Sequence, residues 1–127
     1  MVWKILIIDD EVDFGKIAKI NLERDGDFSV YTATSGKQGF DAARKIRPEV
    51  ILLDIIMPEM DGFKVLEMLK KDTVTMRIPV IMLSALTDDT AKLRAAGLYD
   101  EEYVTKPVET LDLRNKIEKV LRRHGVK

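Results

Sequence analysis

The chain has 127 residues, 46% hydrophobic and 34% charged, with 21 basic against 22 acidic side chains for a net charge of −1. One domain spanning 1–127 is the expectation at this length, and the near-zero charge argues against a surface built to grip nucleic acid or anionic lipid. Cysteine is absent and the single histidine is His124, which removes disulfides, thiolate catalysis, thiolate zinc sites and any internal histidine triad.

In chain order, Ile5 to Ile8 is a continuous apolar run that predicts a strand buried on both faces. Asp13 to Arg24 places Phe14, Ile17, Ala18 and Leu22 at mostly helical spacing as an inward face, with Gly26 as a stop. Phe28 to Ala33 is β-branched and aromatic and predicts a second strand. Ser35-Gly36-Lys37-Gln38 has capping-box spacing and opens a helix with Phe40, Ala43 and Ile46 on one face, ending before Pro48. Val50 to Leu53 is a third strand running straight into Asp54. After the turn Met57 to Gly62, a helix with Val65, Leu66 and Leu69 inward continues to about Asp72. Pro79 to Leu83 is a fourth strand, with proline at its first residue where a missing donor is tolerated. Asp88 to Ala96 is a weaker, alanine-rich helix closed by Gly97; Glu102 to Thr105 is a short fifth strand. Thr110 to Arg123 is the last helix, with Leu113, Ile117, Val120 and Leu121 inward and arginines near its negative end.

Strands alternating with helices imply parallel βαβ units and a doubly wound five-stranded α/β sheet. No apolar run is long enough to cross a bilayer, and Asp9-Asp10-Glu11 after the first run speaks against a signal peptide. A cytoplasmic protein is expected.

Sites in open parallel sheets gather beyond the carboxyl ends of the strands. Here the first strand ends in Asp9-Asp10, the third in Asp54, the fourth in Ser84, and the fifth leads into Lys106-Pro107. Taken singly each is ordinary, since strand-end aspartates cap turns and most lysines are surface groups. Their convergence on one edge is what carries a functional reading. Three carboxylates crowded together raise one another's pKa or demand a cation, and an all-oxygen set suits Mg²⁺, or Mn²⁺. Asp54 is placed to act as a nucleophile toward phosphorus, with Ser84 donating to a phosphoryl oxygen and Lys106 neutralising another.

These residues resemble the receiver domains of two-component response regulators. The resemblance spans nearly the whole chain and rests on Ile7 to Glu11, Leu53 to Gly62, Leu83-Ser84-Ala85 and Tyr103 to Pro107, in that order. It implies a flavodoxin-like (βα)5 sheet with strand order 2-1-3-4-5. Asp54 would accept a phosphoryl group from a phosphohistidine of a sensor histidine kinase or phosphotransfer protein, without the protein being an enzyme on any other substrate. Asp10, Asp54 and the Ile56 carbonyl would hold Mg²⁺ directly, with Asp9 acting mainly through water. Ser84 and Tyr103 would form the switch, Lys106 would contact the phosphoryl group, and Pro107 would follow a cis peptide. The face made by the fourth helix, fifth strand and fifth helix would bind a downstream protein, the chain being a monomer or a phosphorylation-dependent dimer.

The pattern departs from the family's in two places. The spacing from Ser84 to Tyr103 implies a truncated fourth helix followed by a longer acidic loop, Tyr99 to Glu102. Ile56 and Leu86, which border the path of attacking water in the family, are both apolar, implying slow self-dephosphorylation. A phosphatase of the haloacid dehalogenase type would need a second Asp two residues after its nucleophile, where Ile56 stands. A flavodoxin-type nucleotide binder would need glycine and backbone donors where Asp9-Asp10-Glu11 stands. A scaffold independent of phosphorylation would not need the complete set of chemical residues. Direct DNA binding and membrane association are not expected, His124 has no phosphodonor surroundings, and the chain's start at the first strand suits a stand-alone receiver. The methionines Met57, Met60, Met68, Met76 and Met82 read as core and loop filling, and Trp3 as a packing residue of the first strand.

Overall fold

The apolar runs become strands because each of their residues has a hydrophobic layer to enter. A computed structural model, describing residues 2–84 and 102–125, shows β1 (Trp3–Ile8), β2 (Phe28–Ala33), β3 (Val50–Asp54), β4 (Val80–Ser84) and β5 (Glu102–Thr105). All pair in parallel, in the order β2-β1-β3-β4-β5. Four helices accompany them among the described residues: α1 (Val12–Glu23), α2 (Gly36–Ile46), α3 (Gly62–Lys71) and α4 (Thr110–Arg123), the last being the fifth in the sequence-based count. The helix expected at Asp88 to Ala96, its stop at Gly97, Leu86, and the loop from Tyr99 to Glu101 lie outside the described residues. Glu102, which the sequence placed both at the end of that loop and at the start of the fifth strand, is the first residue of β5, paired with Ile81.

Strand side chains alternate between two cores, as the pleat requires. Ile5, Ile7, Val50, Leu52, Ile81 and Leu83 meet Ala18 and Leu22 of α1 and Leu113, Ile117, Val120 and Leu121 of α4. Leu6, Ile8, Ile51, Leu53, Val80 and Met82 meet Ala43 of α2 and Val65, Leu66 and Leu69 of α3. Burying each such side chain contributes roughly 1.5–3 kcal/mol, so the central strands dominate stability.

Local signals explain most boundaries. Ser35 caps α2 by accepting from the Gln38 N–H at 3.2 Å, while the Gln38 amide oxygen accepts from Thr34 N–H at 2.8 Å, one residue earlier than a reciprocal capping box would have it. Asp61 caps α3 through the Lys64 N–H at 3.0 Å. Two glycines are required by close approach. A Cβ on Gly39 would come within 2.6 Å of the Ile8 side chain, and one on Gly62 would fall on the Asp54 carbonyl oxygen.

The structure corrects the reading of α1. Ile17, expected inward, is 59% exposed, and Ile20 is 65% exposed. The buried stripe is Gly15, Ala18 and Leu22 with half-buried Phe14; at 100° per residue Ile17 lies about 115° from its mid-line. Met76 is likewise exposed rather than filling. It belongs to a turn whose Thr75 hydroxyl is buried and donates to Leu69 O at 2.7 Å.

At the sheet's β2 edge, the outward-facing groups of Val30 are both taken by α1. The Lys19 ammonium donates to Val30 O at 2.6 Å, and Glu23 accepts from Val30 N–H at 2.8 Å.

Candidate functional site

Strand register assembles the site. Ile8 lies opposite Leu53, so the residues that follow them, Asp9 and Asp54, emerge side by side. Leu83 pairs with Asp54 and Ser84 with Thr105, which brings the ends of β4 and β5 to the same edge. The Lys106 N–H then donates to Ser84 O at 2.6 Å, and the Lys106–Pro107 peptide is cis. On the β3 side, Gly62 N–H donates to Ile55 O at 2.7 Å, folding the following turn back over the strand, with Glu59 in the left-handed region at φ 68°.

Charge is concentrated where water is scarce. Asp9 is 2% exposed and Asp54 5%. The Lys106 ammonium donates to Asp9 Oδ2 at 2.6 Å and to Glu11 Oε1 at 2.9 Å, and stands 3.9 Å from Asp54 Oδ1. Asp9 Oδ1 accepts from Glu11 N–H at 2.9 Å.

Burial, then the Asp9 charge, push the Asp54 carboxyl up to about 7; Lys106 opposes this, while hydrogen bonding with Asp10 and its charge add to the rise. Burial disfavours the charge on Lys106. Its hydrogen bonds to Asp9 and Glu11, with the charges of Asp54 and Asp9, outweigh that and hold the ammonium above its usual pKa.

Among the described residues, Asp9, Glu11 and Asp54 each offer a carboxylate oxygen within 4.8 Å of the others. Asp10 reaches Asp54 but stands outside that trio. Glu11 is the site residue that sequence reasoning passed over: it was legible in the Asp9-Asp10-Glu11 run, but nothing in the run reveals that it shares an ammonium with Asp9. Ser84 is fully buried at the end of β4, Tyr103 is half-buried opposite Met82, and Ile56 is exposed on the rim beside β3. One ammonium facing several carboxylates leaves an excess of negative charge, and every donor is oxygen. That set fits a hard divalent cation of the Mg²⁺ kind.

A doubly wound sheet with an acidic, lysine-containing pocket at its carboxyl edge defines a class of phosphoryl-handling α/β domains. The family model described as the response regulator receiver domain matches residues 5–118, and the chain belongs to that family. It is a receiver domain of two-component signalling, in which phosphorylation operates the switch. The chain is 38% identical over 120 residues to a probable transcriptional regulator, ycf27, of Guillardia theta, covering 94% of this chain and 46% of that protein. It is 36% identical over 120 residues to the DNA-binding dual master transcriptional regulator RpaA of Synechocystis sp., covering 94% and 49%. The chain thus spans about half the length of these relatives. Among solved structures it resembles the chemotaxis protein CheY4 of Vibrio cholerae, with a TM-score of 0.85 at 26% identity, covering 95% of this chain and all of that one. No helix among the described residues is long and apolar enough to cross a membrane.

Proposed function

We propose that Asp54 is the phosphoryl acceptor. Its carboxylate oxygen attacks the phosphorus of a phosphohistidine on a sensor kinase or phosphotransfer protein; the new P–O bond forms as the donor's P–N bond breaks and the imidazole leaves. The observation that carries this is a buried carboxylate at the end of a strand buried throughout, crowded by Asp9 and faced by an ammonium 3.9 Å away. Asp9, Asp10 and Asp54, with the Ile56 carbonyl, would hold Mg²⁺, and Glu11 is the next carboxylate in reach. When bound, the ion supplies positive charge against the acceptor carboxylate and the phosphoryl oxygens. Lys106 supplies the second positive charge from the opposite side, and Ser84 supplies the hydroxyl.

Residues 1–127 act as one receiver unit in the cytoplasm that catalyses only its own phosphorylation and dephosphorylation. Exposed Val12, Ile17 and Ile20 on α1, next to the acidic edge, offer the phosphodonor protein an apolar face. Output passes by protein contact through the face comprising the segment after β4, β5 with Tyr103, and α4, as a monomer or a phosphorylation-dependent dimer. The near-neutral charge speaks against direct DNA contact by this domain. Intact-mass spectrometry after incubation with acetyl phosphate and Mg²⁺ tests the chemistry. A single phosphoryl adduct that EDTA and Asp54→Asn each abolish is expected; an adduct persisting in Asp54→Asn would overturn the assignment.

A further inference from the structure

Lys106 has a structural problem that Asp54 does not. It follows the edge strand β5, so no neighbouring strand lies beyond it to hold its long side chain. Yet that side chain is only 9% exposed, and its ammonium stands at a defined position. Two carboxylates, Asp9 and Glu11, draw the ammonium from one side. The other contact comes from α1: the Nζ lies 4.4 Å from the centroid of the Phe14 ring. Phe14 is itself half-buried and packed against the core shared by α1 and α4, so the ring is a fixed wall.

We propose that Phe14 is a positioning residue for the phosphoryl chemistry, holding the Lys106 ammonium against the acidic site through the face of its ring. The inference rests on the reading of Asp54 as acceptor. An aliphatic side chain there would only exclude water. An aromatic face also attracts the cation, and it does so without adding a hydrogen-bond acceptor that would compete with the phosphoryl oxygens for Lys106. Glu11 is exposed and carries no such rigidity, so the ring and Asp9 are the two fixed contacts that define where the charge sits. Positioned charge matters here because phosphoryl transfer depends on placement and charge compensation more than on proton transfer.

The test compares Phe14→Leu, which keeps an apolar side chain and removes the π face, with Phe14→Tyr, which keeps the face. The initial rate of adduct formation with acetyl phosphate and Mg²⁺ needs no protein donor, so loss of a docking contact on α1 does not enter. Phe14→Leu is expected to slow the reaction about threefold to tenfold, and Phe14→Tyr to stay within about twofold of the parent. In the Leu variant the upfield ring-current shift of the Lys106 ε-methylene protons should vanish; in the Tyr variant it should remain. In a Lys106→Met background, Phe14→Leu should have almost no further effect. Equal slowing by Leu and Tyr, an undiminished Leu effect without the ammonium, or a parental rate in Phe14→Leu would each overturn the proposal. The failure of the underlying reading shows separately, as an adduct that survives Asp54→Asn.

Discussion

Asp54 and Lys106 face each other across the site, but they are delivered by opposite kinds of strand. β3 lies between β1 and β4, and all five of its residues are buried. β5 is the sheet's edge, and none of its four residues is. The carboxylate is therefore fixed by close packing on both faces, whereas the lysine is held by ions, a ring and one backbone bond to Ser84. The contrast shows how one small domain separates two needs. The proposed acceptor sits where movement is expensive, and the groups proposed to respond to its new charge sit where it is cheap.

The comparison is broken most completely by removing the proposed acceptor: Asp54→Asn should abolish the Mg²⁺-dependent adduct in intact-mass spectra. Next in size, Gly62→Ala drives a Cβ into the Asp54 carbonyl and forces the end of β3 to move. A loss of about 2–4 kcal/mol in urea unfolding is expected, typical of overpacking against immobile backbone. Lys106→Met strips the edge-strand counter-charge from buried Asp9 and Asp54. The metal-free protein should lose about 2–3 kcal/mol at pH 7.5, and saturating Mg²⁺ should restore most of it.

The pH dependence sharpens the contrast at the fixed end. Asp54 titrates at about 7 when folded against the ordinary 3.8, so the native state keeps a proton that the unfolded chain has released. Stability of the metal-free protein therefore falls as pH rises from about 4 to 7 and levels off above, by on the order of 4 kcal/mol from this group. Asp54→Asn removes that fall, and its thermal midpoint without Mg²⁺ should exceed the parent's at pH 8 but approach it at pH 4.5.

At the other end, Glu102 of β5 accepts from Arg123 at 2.6 Å and Lys116 at 3.3 Å of α4. Burial raises its pKa, but those two hydrogen bonds and charges outweigh it, and the net shift is downward. This pairing operates above the unfolded-state pKa and is lost as pH falls through the folded one. Being partly solvated, it is worth about 0.5–1 kcal/mol, the smallest effect here, and Glu102→Gln measured in 0.05 M and 0.5 M salt should show that loss shrinking.

Much of this was legible in the sequence because strong periodicity and capping residues leave few choices. The runs Val50 to Leu53 and Phe28 to Ala33, the helix from Thr110 to Arg123 and its four inward residues follow from spacing alone. Ile17 is misplaced because apolar character cannot say which of two neighbouring stripes the sheet will cover; the sheet covers Gly15, Ala18 and Leu22. The site was legible as a set of strand-end polar groups, since the topology rule collects them on one edge. Their pairwise arrangement was not, because Lys106 choosing Asp9 and Glu11 over Asp54 depends on side-chain reach from an edge strand, which no local pattern encodes. The Phe14 contact was hidden for the same reason: its spacing predicted core, and the lysine it covers is 92 positions away in the chain.

The clasp on Val30 has a consequence for association. An open sheet invites a passing strand to extend it, because its border offers unspent donors and acceptors. Lys19 and Glu23 occupy one such pair in the middle of β2, the point an incoming backbone would need for continuous pairing. Growth of the ladder from that border is therefore obstructed at its middle.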